Sequence, residues 1–313
     1  MNFIYTSDLH SKGKNSANRI GDYYSDWLLK FNELVKLAVE KADGNLIIGG
    51  DLYDSSVVSN TIVDDITDII EKNKIHVWIV PGNHDMLCGK WENSKASSLA
   101  HMVRRSKNVE ILEEYKDDNL VIVGMKYFFG IEDDIKENGL IMKDTDRYKI
   151  IIPHAFITIK PFHPAVTHIM AKDIKTNADL VLCSHFHNNW GSEYVNETEF
   201  INVGAFGRLS ITEHKHMPKV VFVNTKEGTH EIIELKSAKL GAEVFNLENV
   251  EIKKEFNNTI DVFVKSLEST SFQGMSVSGM IRDLAKKSDT DKDVVKLIEN
   301  KIGELQDETV SKI

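Results

Sequence analysis

Leu46-Ile47-Ile48-Gly49-Gly50-Asp51-Leu52-Tyr53-Asp54 is the stretch on which the fold of this chain turns: a short apolar run reading as a buried strand, broken by glycine and followed at once by carboxylates. Working outward, Phe3 to Ser7 reads as an earlier strand. Trp27, Leu28, Phe31, Leu34, Val35 and Ala38 recur at helical spacing and form one apolar stripe. On the other side Ile62, Ile66, Ile69 and Ile70 mark a second helix, and Val77 to Val80 a third strand ended by Pro81-Gly82. A βαβαβ opening of this kind predicts parallel strands. Further strands are expected at Leu120 to Met125, Lys149 to Pro153, Leu180 to Cys183, Phe200 to Val203, Lys219 to Asn224 and His230 to Leu235. The later ones follow one another through short loops with no strong intervening helix, which predicts a second, more antiparallel sheet packed on the first. The fold class is therefore α/β, a four-layer α/β/β/α sandwich.

After about Leu240 the pattern changes. Met280, Ile281 and Leu284 mark a short helix and Val294, Val295, Ile298, Ile302 and Leu305 a longer one, separated by a polar turn from Lys286 to Asp291. The expected division is a main domain over residues 1–240 and a small α/β or helical C-terminal appendage over 241–313. With 313 residues the chain is long enough for both.

Composition narrows the class. Apolar residues make up 42% and charged residues 27%, as in an ordinary globular protein. Two cysteines are too few for a disulfide framework, and the N-terminus runs directly into an apolar strand without a basic leader, so a reducing cytoplasm is expected. No apolar run approaches the roughly 18 to 20 residues that span a bilayer, and no membrane association is expected. The net charge of −10 weighs against a broad electrostatic grip on nucleic acid. Two bound divalent cations would place positive charge locally, where a phosphate must bind.

The chemistry sits at strand ends. Asp8-Leu9-His10 follows the first strand, Gly50-Asp51-Leu52-Tyr53-Asp54 the second and Gly82-Asn83-His84-Asp85 the third. The carboxyl ends of adjacent parallel strands face one crevice, so these blocks converge. Later, His154 follows the strand at 149–153, and His185 and His187 follow the strand at 180–183. Any one block alone is more often a turn or cap than a ligand set. Five in succession at strand ends are not explained by turns. Oxygen and imidazole donors suit Mn²⁺, Fe²⁺ or Zn²⁺ rather than a thiolate site.

The order Asp-x-His, Gly-Asp-x-x-Asp, Gly-Asn-His-Asp, His and x-His-x-His resembles the calcineurin-like metallophosphoesterases over roughly residues 1–235, with Ser184 where that family usually has glycine. The resemblance implies two divalent metal ions, Mn²⁺ by first choice with Fe²⁺ or Zn²⁺ as alternatives. It implies Asp8, His10, Asp51 and His187 as ligands of one metal, and Asp51, Asn83, His154 and His185 as ligands of the other. By the same resemblance Asp51 would bridge the pair, which would clamp an in-line displacement and acidify a bound water. His84 corresponds to the family's catalytic histidine, which stabilises the transition state or protonates the leaving group. Asp54 and Asp85 are expected to orient histidines.

Within the family the substrate is open. Asp54-Ser55-Ser56 and Asp85 lack the marks of the phosphoprotein phosphatases. The long helix between Asp22 and the Gly-Asp-Leu-Tyr-Asp block, His154-Ala155-Phe156-Ile157-Thr158 and the turn Asn202-Val203-Gly204-Ala205 are similar to the SbcD-type DNA double-strand-break-repair nucleases, including phage-encoded members. That resemblance implies DNA as substrate, an SMC-like (SbcC-type) ATPase partner docked through helices such as Met280 to Lys287 and Asp291 to Leu305, and homodimerisation near Asp54 to Lys72. For a phage-encoded member the compartment is the host cytoplasm. Candidate phosphate-backbone contacts are Arg104, Arg105, Lys107, Arg147, Arg208 and Lys215. The alternative is a small-molecule phosphodiesterase, for instance one acting on a cyclic nucleotide, which the acidic charge favours.

Overall fold

The structure is a computed structural model that describes residues 1–143, 146–163 and 166–247. The expected helix pair at 280–305, and the docking role attached to it, lies outside these residues. In chain order the first half contains β1 (Phe3–Thr6), α1 (Tyr23–Lys41), β2 (Asn45–Ile48), α2 (Asn60–Asn73), β3 (His76–Ile79), α3 (Ser98–Arg105), β4 (Val109–Ile111), β5 (Glu114–Lys116), β6 (Leu120–Met125) and α4 (Ile131–Asn138). It continues with β7 (Tyr148–Pro153), β8 (Ile157–Thr158), β9 (Ile169–Met170), β10 (Leu180–Leu182), β11 (Gly191–Val195), β12 (Thr198–Asn202), β13 (Lys219–Asn224), β14 (Thr229–Glu234) and α5 (Gly241–Val244). No helix among the described residues is long and apolar enough to cross a membrane.

Two six-stranded sheets form, in the orders β14-β13-β1-β2-β3-β4 and β11-β12-β10-β7-β6-β5. Strands β1 to β4 are mutually parallel, as the βαβαβ opening requires. Period-two alternation then builds the layers. Ile4, Leu46 and Ile48 face the side occupied by Trp27, Phe31, Ile66 and Ile70 of α1 and α2. Phe3, Tyr5, Ile47, Val221 and Val223 face the other way, onto Ile122, Ile150, Ile152, Leu182 and Ile201 of the second sheet. The outer side of that second sheet carries Val121, Ile151, Val181 and Phe200, covered by Ile131 and Ile135 of α4. The four-layer α/β/β/α sandwich follows from these three cores, and the continuous apolar runs are what strands buried on both faces require.

The second sheet differs from the expectation of an antiparallel arrangement. β12, β10, β7 and β6 run parallel, and only the outer pairs β11·β12 and β5·β6 are antiparallel. β13 and β14 belong instead to the first sheet, where β13 lies antiparallel beside β1. The physical reason lies in the crossovers: α4 shows only Ile131 and Ile135 as buried apolar residues in eight positions, and the link from β7 to β10 runs through loop and the small β8·β9 pair. At the end of the described chain, Ile20 N–H donates to Val244 O at 2.9 Å and Asn246 N–H to Asn18 O at 2.8 Å.

Ile47, fully buried between the two sheets two residues before the Gly-Gly turn, tests this layering. Ile47→Ala is expected to cost about 2–5 kcal/mol in the free energy of unfolding, as other large-to-small core changes do. Urea denaturation followed by far-UV circular dichroism measures it.

Candidate metal centre

The sandwich brings all five blocks to one end. In the first sheet the ladder between β1 and β2 continues past the strands: Asp8 N–H donates to Gly50 O at 3.0 Å and His10 N–H to Asp51 O at 2.9 Å. These two loops are thereby locked in register. α1 braces them from behind, with Trp27 Nε1 donating to Leu9 O at 2.8 Å and the Tyr23 hydroxyl to His10 O at 2.8 Å. A 3₁₀ turn at Asn83–Asp85 presents the third block. From the second sheet come His154, directly after β7, and His185 and His187, after β10. The segment Ala205–Gly207 stitches the halves together: Ala205 N–H reaches His187 O at 2.9 Å, Phe206 N–H reaches Ser7 O at 3.2 Å and Gly207 N–H reaches Asp8 O at 3.1 Å.

Side-chain donors converge within this frame. Asp8, Asp51, His154 and His185 offer atoms all within 4.8 Å of one another, as do Asp8, His10 and His187, and also His10, Asp51 and His84. Asp51 Oδ2 lies 3.4 Å from His154 Nε2 and 3.8 Å from His10 Nε2. The Asn83 amide oxygen lies 3.2 Å from His154 Nε2. Every residue expected from sequence to ligate metal is thus gathered into one cluster, with Asp8, His10, Asp51 and His154 buried and Asn83, His185 and His187 partly buried at its mouth; Asp51 lies between the two groups, and Asp8 reaches both.

Backbone geometry at these residues is unusual. Asp8, His10, Asp51 and His185 have φ of 53°, 48°, 52° and 69°, a left-handed region that costs a non-glycine residue roughly 1 kcal/mol or more and that surrounding structure must impose. Glycine supplies the space. A Cβ at Gly50 would collide with His154 Nδ1, and one at Gly82 with the Asp51 carboxylate and amide.

Proton placement follows from the contacts. Burial favours the neutral form of His10 and takes its pKa down to about 4; burial and then charged His154 take His185 down to about 3. Burial also opposes the charged form of His154, but Asp51 outweighs it and lifts the pKa to about 9. His187 reaches about 9 likewise, against burial, because Glu213 and Asp8 favour its imidazolium. Burial disfavours the Asp51 carboxylate too, yet His154, His10 and His84 hold it well below the usual range. Burial and the nearby Asp51 push Asp85 up to about 7.

The donor set fits divalent cations. His10 Nε2 and His187 Nε2 face each other at 3.1 Å, where two imidazole nitrogens can share one proton at most. Asp8 Oδ1 is buried without a hydrogen-bond partner. An orphaned carboxylate oxygen beside crowded imidazole nitrogens is what a cation would satisfy, and carboxylate, amide and imidazole together suit Mn²⁺, Fe²⁺ or Zn²⁺.

Supporting residues act in ways the sequence did not show. Glu213 Oε1 accepts from His187 Nδ1 at 2.8 Å, fixing the ring so that Nε2 faces the cluster. Sequence reading passed over Glu213, although Ser210-Ile211-Thr212-Glu213 has the spacing of a capping box and Ser210 N–H does bind the Glu213 carboxylate at 2.6 Å. Asp85 works through backbone rather than through a histidine: its carboxylate accepts from the N–H of Asp51 at 2.8 Å and of Gly82 at 3.0 Å. Asp54 lies 3.7 Å from His10 Nδ1 and 3.1 Å from Lys12 Nζ. His84 Nδ1 donates to Asp54 O at 2.7 Å, and His84 N–H to Asp51 Oδ1 at 2.8 Å. That leaves His84 Nε2 available. Arg208, considered above as a phosphate contact, is 1% exposed and donates to His216 O and Lys239 O. It does not face a ligand.

A family model for calcineurin-like phosphoesterases matches residues 1–189. The chain belongs to the calcineurin-like phosphoesterase family. As a member of that family it is a phosphoesterase, a hydrolase whose relatives typically bind two divalent metals, and the cluster described above is its candidate site. No curated protein matches the chain. Among solved structures it is similar to TT1561 of Thermus thermophilus (11% identity, 75% of this chain and 99% of that chain covered, TM-score 0.43). It is also similar to a novel archaeal phosphodiesterase (14% identity, 75% and 100% covered, TM-score 0.40) and to a 5′-nucleotidase precursor from Thermus thermophilus (10% identity, 77% and 56% covered, TM-score 0.38). Likenesses this distant carry no functional weight.

The centre can be tested through its hydrogen bonds and through its protons. Glu213→Ala should weaken Mn²⁺ binding about 10–100-fold by releasing His187, as removal of a ligand's hydrogen-bond partner does elsewhere; isothermal titration calorimetry reads this, and unchanged affinity would count against the orienting role. The second test concerns pH. His154 and His187, with folded-state values near 9, are protonated at pH 7 in the metal-free protein. Their charge stabilises that protein below about 6.5, the unfolded value, and the contribution is lost as pH climbs through 9. Cations need both rings neutral, so apparent Mn²⁺ affinity should rise about tenfold per displaced proton for each pH unit up to about 9, with proton release seen in buffers of differing ionisation enthalpy.

Proposed function

We propose that the chain is a dinuclear-metal-dependent phosphodiesterase acting on DNA, of the SbcD type. The observation that carries the phosphodiesterase part is the placement of the Asp51 carboxylate between His10 and His154, with Asp8, His185 and His187 closing around it. Two divalent cations, Mn²⁺ by preference, would be held by Asp8, His10, Asp51 and His187 and by Asp51, Asn83, His154 and His185, and supply Lewis acidity and an acidified water.

The protein's own residues do the rest. Glu213 and Gly49 O hold His187 and His154 by their Nδ1 atoms, so that each turns Nε2 inward. Asp85 and Gly82 set the Asp51 loop. His84 donates Nδ1–H to Asp54 O and presents Nε2 to a phosphoryl oxygen or to the departing oxygen; as the imidazolium it would give up its Nε2 proton and keep the one on Nδ1. The sheets and the Ala205–Gly207 stitch keep these groups rigid, so little reorganisation is needed during the reaction.

Support for DNA comes from the SbcD-like segments: the long helix α1 before the Gly-Asp-Leu-Tyr-Asp block, the His154–Thr158 strand end, and the turn at 202–205, where Asn202 binds Phe186 O at 3.0 Å and receives Gly204 N–H at 2.6 Å. An SMC-like ATPase partner and a homodimer along residues 54–72 belong to the same reading. The acidic charge of −10 favours a second reading, a small-molecule phosphodiesterase, for instance one acting on a cyclic nucleotide.

Mn²⁺-dependent cleavage of end-labelled duplex and single-stranded DNA, run beside bis-p-nitrophenyl phosphate, separates the two readings. DNA cleavage is expected. Turnover of the small diester with DNA left intact, also when the ATPase partner is added, would overturn the DNA reading and leave the second. His84→Ala should retain its metal and lose about 10²–10⁴ in turnover; loss of metal would instead make His84 a ligand.

A further inference from the structure

One wall of the metal centre is built of rings that the proposed chemistry does not use. The Phe156 ring lies 5.8 Å from His185, 4.8 Å from Phe186 and 5.2 Å from Phe162, centroid to centroid. Phe162 packs 5.6 Å from Phe186. Tyr127 flanks the same histidine, 5.9 Å from His185 and 6.4 Å from His154. The rings thus form a ledge that starts at a metal-facing histidine and runs outward.

The ledge is neither core nor loose surface. Phe156, Phe186 and Tyr127 are half-buried, and Phe162 is 39% exposed at the outer end. Its base is fixed: Phe156 N–H donates to Glu132 Oε1 at 2.9 Å, and Ile169 N–H to Phe156 O at 3.0 Å where β8 and β9 pair. His168 Nε2 holds Phe162 N–H at 3.2 Å. A large, partly open aromatic surface rigidly set beside a phosphate-binding centre invites a flat ring attached to that phosphate.

Charge points the same way. A duplex is gripped by cations on its backbone, and three of the six candidate contacts are engaged within the protein: Arg208 is buried, Arg105 is paired with Asp64, and Arg147 Nε donates to Asp117 O at 2.7 Å. The net charge of −10 weighs against a broad electrostatic grip, so attraction beyond the metal centre needs another source. Stacking is insensitive to charge and needs an unpaired base.

Building on the phosphodiesterase reading, we propose that the ledge of Tyr127, Phe156, Phe162 and Phe186 is a stacking subsite for the unpaired base of a nucleotide whose phosphodiester lies at the metal centre. The base is that of a single-stranded or frayed DNA end, or of a free nucleotide. A base in a duplex is stacked on its neighbours and does not reach the ledge without being pulled out.

The test uses the full chain loaded with Mn²⁺ and two diesters with the same leaving group, thymidine 5′-(p-nitrophenyl phosphate) and methyl p-nitrophenyl phosphate. The base-bearing ester is expected to show a kcat/KM about 5–150-fold higher, the range that base–aromatic stacking gives. Phe162→Ala, at the most exposed ring, should collapse that ratio towards one through KM, and Phe162→Trp should keep it. Equal kcat/KM for the two esters in the natural protein, or a ratio untouched by Phe162→Ala, overturns the subsite, and turnover of neither overturns the phosphodiesterase reading with it. A base preference without DNA cleavage would remove the DNA reading alone and assign the ledge to free nucleotides.

Discussion

A carboxylate with 1% exposure is expensive to keep ionised unless its surroundings answer it. Asp51 is answered from several sides: imidazoles at 3.4 Å and 3.8 Å, the N–H of His84 on its other oxygen, and beneath its own backbone N–H the Asp85 carboxylate. Much of the nearby backbone exists to make this possible. Gly82 leaves the space that the Asp51 side chain occupies, Gly50 leaves the space for His154, and Asp51 itself is held at a positive φ. Without cations the cluster relieves its charge by keeping protons on His154 and His187, so metal, proton and carboxylate balance are one problem.

The remaining architecture is a means of bringing two sets of donors to Asp51. The first sheet carries Asp8, His10, Asp51, Asn83 and His84, and the second carries His154, His185 and His187. Neither sheet alone completes a site. The apolar layer between them, from Phe3 and Ile47 across to Ile152 and Leu182, sets their spacing, and Ala205–Gly207 ties their loops by backbone hydrogen bonds. Core packing and site geometry are therefore coupled more closely here than in a site built on one element.

How far the fold could be read in advance depended on how each crossover was written. Between β1 and β3 the links are helices with full apolar stripes, such as Trp27, Phe31, Leu34 and Ala38, and both helix and parallel pairing could be inferred. Between β6 and β10 the links are a short acidic helix and irregular loop, so the same parallel pairing left no periodic trace. The short strands β4, β5, β8, β9 and β11 have two to five residues each and are formed by the neighbours they pair with.

The sequence by itself determined the family and its candidate site residues: Asp8, His10, Asp51, Asn83, His84, His154, His185 and His187 stand at strand ends in an order that names that family, because ligand type and strand periodicity are both written locally. Only the tertiary structure decided what holds those residues and what lies beside them. Glu213 is distant in sequence from every block except that of His187, Asp85 acts through backbone N–H groups that no side-chain pattern reports, Arg208 turned inward, and the ring ledge joins Tyr127, Phe156, Phe162 and Phe186 from separate loops. Contacts of this kind depend on how the two sheets pack, and no local pattern of residues encodes them.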